Sequence, residues 1–84
     1  MRVGILALLL NGDSAEFVYL REQMGATDGN LAKHLRRLEK ANYVAMQKSF
    51  VGRRPRTTYT ITDRGRAALE RHVQLLARLL ERKE

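Results

Sequence analysis

The 84-residue chain contains no cysteine. That excludes a disulfide framework, a thiolate metal site and cysteine nucleophile chemistry together, and it fits a reducing compartment. Carboxylates are also scarce, nine Asp and Glu against sixteen Lys and Arg, and most of them read as helix caps or ion-pair partners. Ser14 and Ser49 stand in no nucleophile motif, and no glycine loop of the phosphate-cradling kind occurs. A chain of this length leaves little volume for a substrate pocket. The two histidines, His34 and His72, lie far apart, with no H-x-x-x-H spacing and no carboxylate cluster, so the residues call for no metal and no other cofactor. Together these absences argue against an enzyme. Residues 3–10 form an apolar run after Met1-Arg2, which resembles the start of a secretory signal. No small-residue cleavage site follows, and Asn11-Gly12-Asp13 reads as a turn. The run is also far short of the roughly 20 apolar residues that span a bilayer. It reads as a core helix, with no membrane partner and a cytoplasmic location expected.

The net charge is +7, and its distribution is uneven. Residues 27–66 carry ten basic and three acidic side chains, whereas residues 1–26 carry two and three, and residues 67–84 carry four and three. Charge serving solubility alone would be spread more evenly. A basic middle segment points to a polyanion, with nucleic acid the leading candidate. At 84 residues there is room for one domain, and a domain so small buries only about 60% of its unfolded surface, which makes oligomerisation a useful source of stability.

Periodicity gives an ordered series of elements. Residues 3–10 read as a short helix closed by Asn11-Gly12, suited to a left-handed cap. Residues 14–16 read as a short extended piece. A second helix over 17–24 places Phe17, Leu20 and Met24 on one side. Gly25-Ala26 makes a tight connection. Thr27 then caps a third helix, about 28–40, with Asp28 in its first turn and Asn42 as a left-handed end residue. Residues 43–48 and 56–61 read as strands, interrupted by Gly52 and Pro55. They predict a loose antiparallel hairpin with a long basic tip. Thr62 caps a last helix, about 63–81. The class is mainly α with a small antiparallel β hairpin, in the order α-(β)-α-α-β-β-α, as one domain over 1–84.

On a wheel of 100° per residue, the third helix turns Leu31, Leu35 and Leu38 to one narrow stripe. The opposite side carries Gly29, Asn30, Lys33, Arg36, Arg37 and Lys40, with no acidic residue among them. Small residues at its start permit close approach to a major groove about 12 Å wide. Asn30 suits adenine, and Lys33 or Arg37 suits guanine, whereas Arg36 and Lys40 are better placed for phosphates. A basic face alone could be merely solvated. The second cluster, Arg53, Arg54 and Arg56 with Lys48 just before them, shifts the balance. On a hairpin beside a reading helix, those side chains would reach phosphates or an adjacent minor groove.

The last helix carries two apolar stripes. Leu69, Val73, Leu76 and Leu80 form a short seam at spacings of four, three and four, and Ala68, His72, Leu75 and Leu79 form a second. One small domain cannot cover both, so one stripe is expected on the first helix (Ile5, Leu6, Leu9) and the other on a partner subunit. His34 sits at the edge of the core stripe and is expected to be a boundary residue hydrogen-bonded to backbone or phosphate.

These stretches together resemble the winged helix-turn-helix domains of the MarR/ArsR-like transcriptional regulator superfamily, especially small single-domain members. The resemblance rests on Ala26-Thr27-Asp28-Gly29-Asn30-Leu31-Ala32-Lys33-His34-Leu35, then Leu38-Glu39-Lys40-Ala41-Asn42-Tyr43-Val44. The stretch Gly52-Arg53-Arg54-Pro55-Arg56-Thr57-Thr58-Tyr59 and the following Ile61-Thr62-Asp63-Arg64-Gly65-Arg66 also fit. It implies a recognition helix at 27–41, with Thr27 at its start, a wing at 50–56, and a homodimer formed through the terminal helices, with 62–84 as the dimerisation helix. Interface residues would be Leu69, His72, Val73, Leu76, Leu79 and Leu80. Two departures are Asn42, where glycine is more usual, and a start almost directly in the first helix.

The reading is a homodimeric, sequence-specific regulator on double-stranded DNA. Two alternatives stand beside it: a winged helix used as a protein-interaction module without DNA binding, and a non-specific or RNA-directed nucleic-acid binder. The first is disfavoured by the exposed cations, because charged residues other than arginine are depleted in interface cores. The second lacks stacking aromatics, since Tyr43, Tyr59, Phe17 and Phe50 have core roles in this reading and only Tyr19 is left over. The residues identify no operator and no small-molecule effector.

Overall fold

Leu31, Leu35 and Leu38 are all turned inward, at 0%, 0% and 2% exposure, and the rest of the chain is arranged around that stripe. The computed structural model describes residues 2–81. Four helices, α1 (Arg2–Leu10), α2 (Phe17–Met24), α3 (Asp28–Lys40) and α4 (Asp63–Glu81), surround a three-stranded antiparallel sheet of β1 (Ser14–Glu16), β2 (Val44–Val51) and β3 (Arg54–Ile61), ordered β1-β3-β2. The core gathers Ile5, Leu6 and Leu9 from α1, Leu20 from α2, the α3 leucines, Val44, Tyr59 and Ile61 from the sheet, and Leu69 from α4. The fold class is therefore as expected, mainly helical with a small antiparallel sheet.

The joints follow from local chemistry. Gly25 ends α2 in the left-handed region, φ 60°, which glycine enters without a Cβ penalty. The Thr27 hydroxyl accepts the Asn30 amide at 3.2 Å and starts α3, satisfying one of the unpaired amides of a helix start. Two helices joined by three residues make a helix-turn-helix. Asn42 takes φ 63° just past α3, as its side chain permits. After α1 the left-handed residue is Asp13, φ 68°, not Asn11 or Gly12. Asp13 is fixed there from both sides, its carbonyl accepting the Ile61 amide and its carboxylate pairing with Arg66.

The hairpin differs from the expected loose form. Both strands run on to a two-residue turn, Gly52-Arg53, with Val51 opposite Arg54 and Phe50 opposite Pro55. Gly52 has φ 65°, the glycine position that tight hairpin loops favour. Pro55 does not break β3 because it lies beyond β1, which pairs only with Thr58, Tyr59 and Thr60. A proline without its N–H is tolerated on such an edge. The wing is thus a projecting ribbon, and Phe50, expected in the core, is 75% exposed at its end.

The last helix also departs from expectation. Neither stripe packs on the body over its whole length; the change from buried to exposed runs along the helix. The first two turns pack on the body through buried Gly65 and Leu69. From Glu70 to Glu81 every residue is exposed. Leu69, assigned to the seam by its spacing, is 5% exposed in the chain's own core. Nineteen residues make a helix of about 28 Å, and its distal half projects. The radius of gyration is 14.4 Å, against about 12 Å for a compact domain of this length. Residues 82–84 of the expected dimerisation segment lie outside the described residues.

Candidate nucleic-acid interface

Turning the three leucines inward fixes the opposite side of α3 outward. Gly29, Asn30, Lys33, Arg36, Arg37 and Lys40 are all exposed, and no other described element covers them. Thr27, at the start of this helix, is exposed but uses its hydroxyl as the cap. Asn30 contributes its backbone amide to that cap, leaving its side-chain amide for other partners. An ion pair between Arg21 of α2 and Asp28 of α3, 2.7 Å apart, ties the two helices of the motif. Asp28 holds the Arg21 guanidinium still more firmly in its protonated form by that hydrogen bond and by charge. The pair neutralises the one carboxylate in the first turn of α3.

The root of the wing lies against the same side of the molecule. A groove of about 470 Å³ separates α3 from the sheet, lined by Ala32, Arg36 and Glu39 on one bank and Met46, Lys48, Thr57 and Tyr59 on the other. Arg36 and Lys48 therefore share one surface, although twelve positions separate them in sequence. Tyr59 forms part of the groove floor at 7% exposure. Burial, with the Glu39 carboxylate nearby, pushes its phenol above the ordinary range, and Arg36 partly offsets the effect.

Strand alternation sorts the remaining wing cations. Cross-strand pairs Val44–Ile61, Met46–Tyr59, Lys48–Thr57 and Phe50–Pro55 share the ribbon face that begins at the core and runs out beside α3. Ser49–Arg56 and Val51–Arg54 belong to the other face. Arg53 sits in the turn itself. Arg56 is not a free tip cation: its guanidinium lies 3.4 Å from the Glu16 carboxylate of β1, because β1 pairs with β3 in the register that sets Glu16 opposite Thr58. The sites read from the sequence thus divide. Gly29, Asn30, Lys33, Arg36, Arg37, Lys40 and Lys48 come together on one surface, Arg53 and Arg54 cluster at the ribbon end, and Arg56 is engaged with the body.

His34 flanks this surface. It is half-buried, and its Nδ1 is shut from solvent with no hydrogen-bond partner, unlike the bonded boundary residue expected. Burial, reinforced by the positive charges of Arg37, Arg2 and Lys33 around it, lowers its pKa. Among the described residues, no three of His, Asp and Glu gather as metal ligands, and no helix is long and apolar enough to cross a membrane. Sequence reasoning missed Phe50 as a surface residue, and its only signal was adjacency to the arginine run.

Comparison with known proteins agrees with this geometry. The family model of the winged helix DNA-binding domain matches residues 1–80. An uncharacterized protein of Methanocaldococcus jannaschii is 40% identical over 79 residues, covering 94% of this chain and 86% of its own. The structure of a transcriptional regulator homologue from Pyrococcus horikoshii superposes with a TM-score of 0.87 at 34% identity, covering 95% of this chain and 79% of that one. A mutant of E. coli MarR complexed with operator DNA superposes at 0.82 with 21% identity, covering 98% of this chain and 58% of its own, a likeness of fold. Family and fold are those of transcriptional regulators and not of enzymes, and the chain belongs to the winged helix DNA-binding domain family.

Proposed function

We propose that this chain is a sequence-specific regulator of transcription, binding double-stranded DNA as a homodimer in the cytoplasm. The observation that carries the reading is the uncovered cationic side of α3, joined to the wing across the Arg36–Lys48 groove. The recognition segment, residues 27–41, enters the major groove. Gly29 permits close approach, Asn30 and Lys33 or Arg37 meet base edges, and Arg36 and Lys40 hold phosphates. The wing, residues 50–56, follows the backbone or the neighbouring minor groove through Arg53 and Arg54, with Lys48 at its root. Operator-bound MarR, which shares the fold, supports duplex DNA as the partner.

The dimer is supported by the distal half of α4. Val73, Leu76, Leu79 and Leu80 are 55%, 47%, 53% and 69% exposed, a contiguous apolar surface on a helix that projects from the body, with His72 beside it. Pairing two such helices would bury that surface and relate two recognition helices by a two-fold axis, as needed for half-sites roughly 34 Å apart. The test is selection of bound duplexes from a random pool. Recovery of a two-fold symmetric site is expected. Recovery of no enriched sequence would overturn specific reading, and failure to retain any duplex would overturn DNA binding.

A further inference from the structure

Phe50 is the most exposed large apolar side chain among the described residues, at 75%. A single exposed apolar residue needs no explanation by itself. Its placement does. It sits at the last-but-one ladder position of the ribbon, directly opposite Pro55, so an aromatic ring and a rigid pyrrolidine cap one face of the wing end. Val51, 55% exposed, follows it in sequence on the other ribbon face. The surrounding charges are Lys48 two positions before, Arg53 in the turn and Arg54 opposite Val51, with no acidic residue from 44 to 61. The ribbon face that carries Phe50 is the one that carries Lys48 and Thr57 beside α3. By strand alternation the ring continues the ribbon face whose root lines the groove beside α3.

We propose that Phe50, backed by Pro55, is a wedge that enters the minor groove flanking the site held by α3, loosens a base step and bends the duplex. The inference rests on the DNA-binding reading above and adds a role for an apolar residue. Proteins that work in the minor groove use apolar side chains to unstack base steps and bend the duplex away from the wedge, by about 20–90°. Such a wedge must be carried past the phosphates, which the Arg53 and Arg54 pair at the tip accomplishes by charge. It must also be stiff. The two-residue turn and Pro55 supply that, because φ is fixed near −65° at the residue facing the ring. A wing that only clamped phosphates would use Arg53 and Arg54 and gain nothing from an exposed phenyl ring between them and Lys48. The sequence preference of the wedge would fall on flexible pyrimidine–purine steps beside the recognition site, read through deformability and not through hydrogen bonds.

The experiment uses the full chain and the duplex recovered by selection, end-labelled for energy transfer and carrying 2-aminopurine at successive steps of the flank. Wild type is expected to shorten the end-to-end distance and to raise 2-aminopurine emission at one flanking step. Phe50→Ala should abolish both signals and weaken binding by about tenfold or more, the scale of losing one base–aromatic contact. The slope of affinity against salt should not change, because no charge is removed. Phe50→Leu should restore most of the bend. Because Phe50 is outside the core, the melting temperature should hold in both variants. A Phe50→Ala protein that binds and bends like wild type overturns the wedge and leaves DNA binding standing, whereas a wild type that binds no duplex overturns both. Loss of binding to anionic phospholipid vesicles, or of self-association in sedimentation, with an unchanged bend would assign Phe50 to another partner and also overturn the wedge.

Discussion

Thr62 donates its hydroxyl to the backbone carbonyl of Asn42 at 2.6 Å and accepts the Gly65 amide at 3.0 Å. One side chain thus caps α4 and joins it to the left-handed turn that ends α3. The Thr62 amide reinforces the joint by bonding to the Tyr43 carbonyl at 3.0 Å. The joint helps to fix the orientation of α3 relative to α4, beside the packing of α4 on α1.

The joint requires glycine at position 65. A Cβ there would lie 2.2 Å from the Tyr43 carbonyl oxygen and 3.0 Å from the Ile61 side chain. In an ordinary helix, Gly→Ala gains up to about 1 kcal/mol. Here the sign is reversed, because the obstructing atom is backbone and cannot swing aside. Gly65→Ala should cost about 1–3 kcal/mol and lower the melting temperature by more than about 5 °C. Arg64→Ala, one residue earlier and exposed, should leave it nearly unchanged. Calorimetry on both variants checks this, and equal melting temperatures would contradict it.

The environment of His34 gives stability a pH dependence. Its folded pKa lies below the ordinary value of about 6.5, so between the two values the unfolded chain binds the proton more readily. The contribution of neutral His34 is fully present above about pH 6.5 and falls as the pH drops toward the folded value. The groups facing it, Arg37, Arg2 and Lys33, are cations and act in the same direction as burial. Melting curves at pH 7.5 and pH 5.5 should therefore differ more for wild type than for His34→Leu. An identical pH response in the two proteins would contradict the assignment.

Base-edge and phosphate contacts separate by their dependence on duplex sequence. Asn30→Ala or Lys33→Ala should cost about 1–3 kcal/mol on the selected site and less on random duplex. Arg54→Ala should weaken binding about equally on both and reduce the salt slope by about one unit. Arg56→Ala should have the smaller effect of the two wing variants, since Glu16 already engages that guanidinium. Quantitative binding to both duplexes checks the set, and undiminished discrimination by Asn30→Ala would place the reading surface elsewhere.

Two leucines on one helix should behave differently. Leu69→Ala removes a core side chain and should destabilise the chain by about 2–5 kcal/mol, whichever its oligomeric state. Leu76→Glu or Leu80→Glu places a carboxylate on the projecting half and should give monomers. Light scattering distinguishes the outcomes, and a dimeric Leu76→Glu protein would refute the seam.

What could be read from the sequence was what depends on local spacing. The inward leucines of α3, the cations opposite them, the Thr27 cap and the left-handed Asn42 all follow from periodicity or from the chemistry of single residues. What could not be read depends on how far an element extends beyond the body. Phe50 looks like core until the ribbon is seen to run on to Gly52-Arg53. Leu69 and Leu76 occupy one stripe, and only the edge of the body decides which is buried. The pairing of Arg56 with Glu16 needs the β1–β3 register, set by pairs such as Glu16 with Thr58 and Ser14 with Thr60 that are distant in sequence.

The most direct test of the central claim is the affinity of the wild-type chain for the selected and the scrambled duplex across a series of salt concentrations. If the cationic side of α3 and the wing embrace a duplex, affinity should fall steeply with salt, by a log–log slope of about −0.9 for each phosphate contacted. The selected site should also be preferred by about a thousandfold or more at physiological salt. Equal affinity for the two duplexes, or binding indifferent to salt, would contradict it.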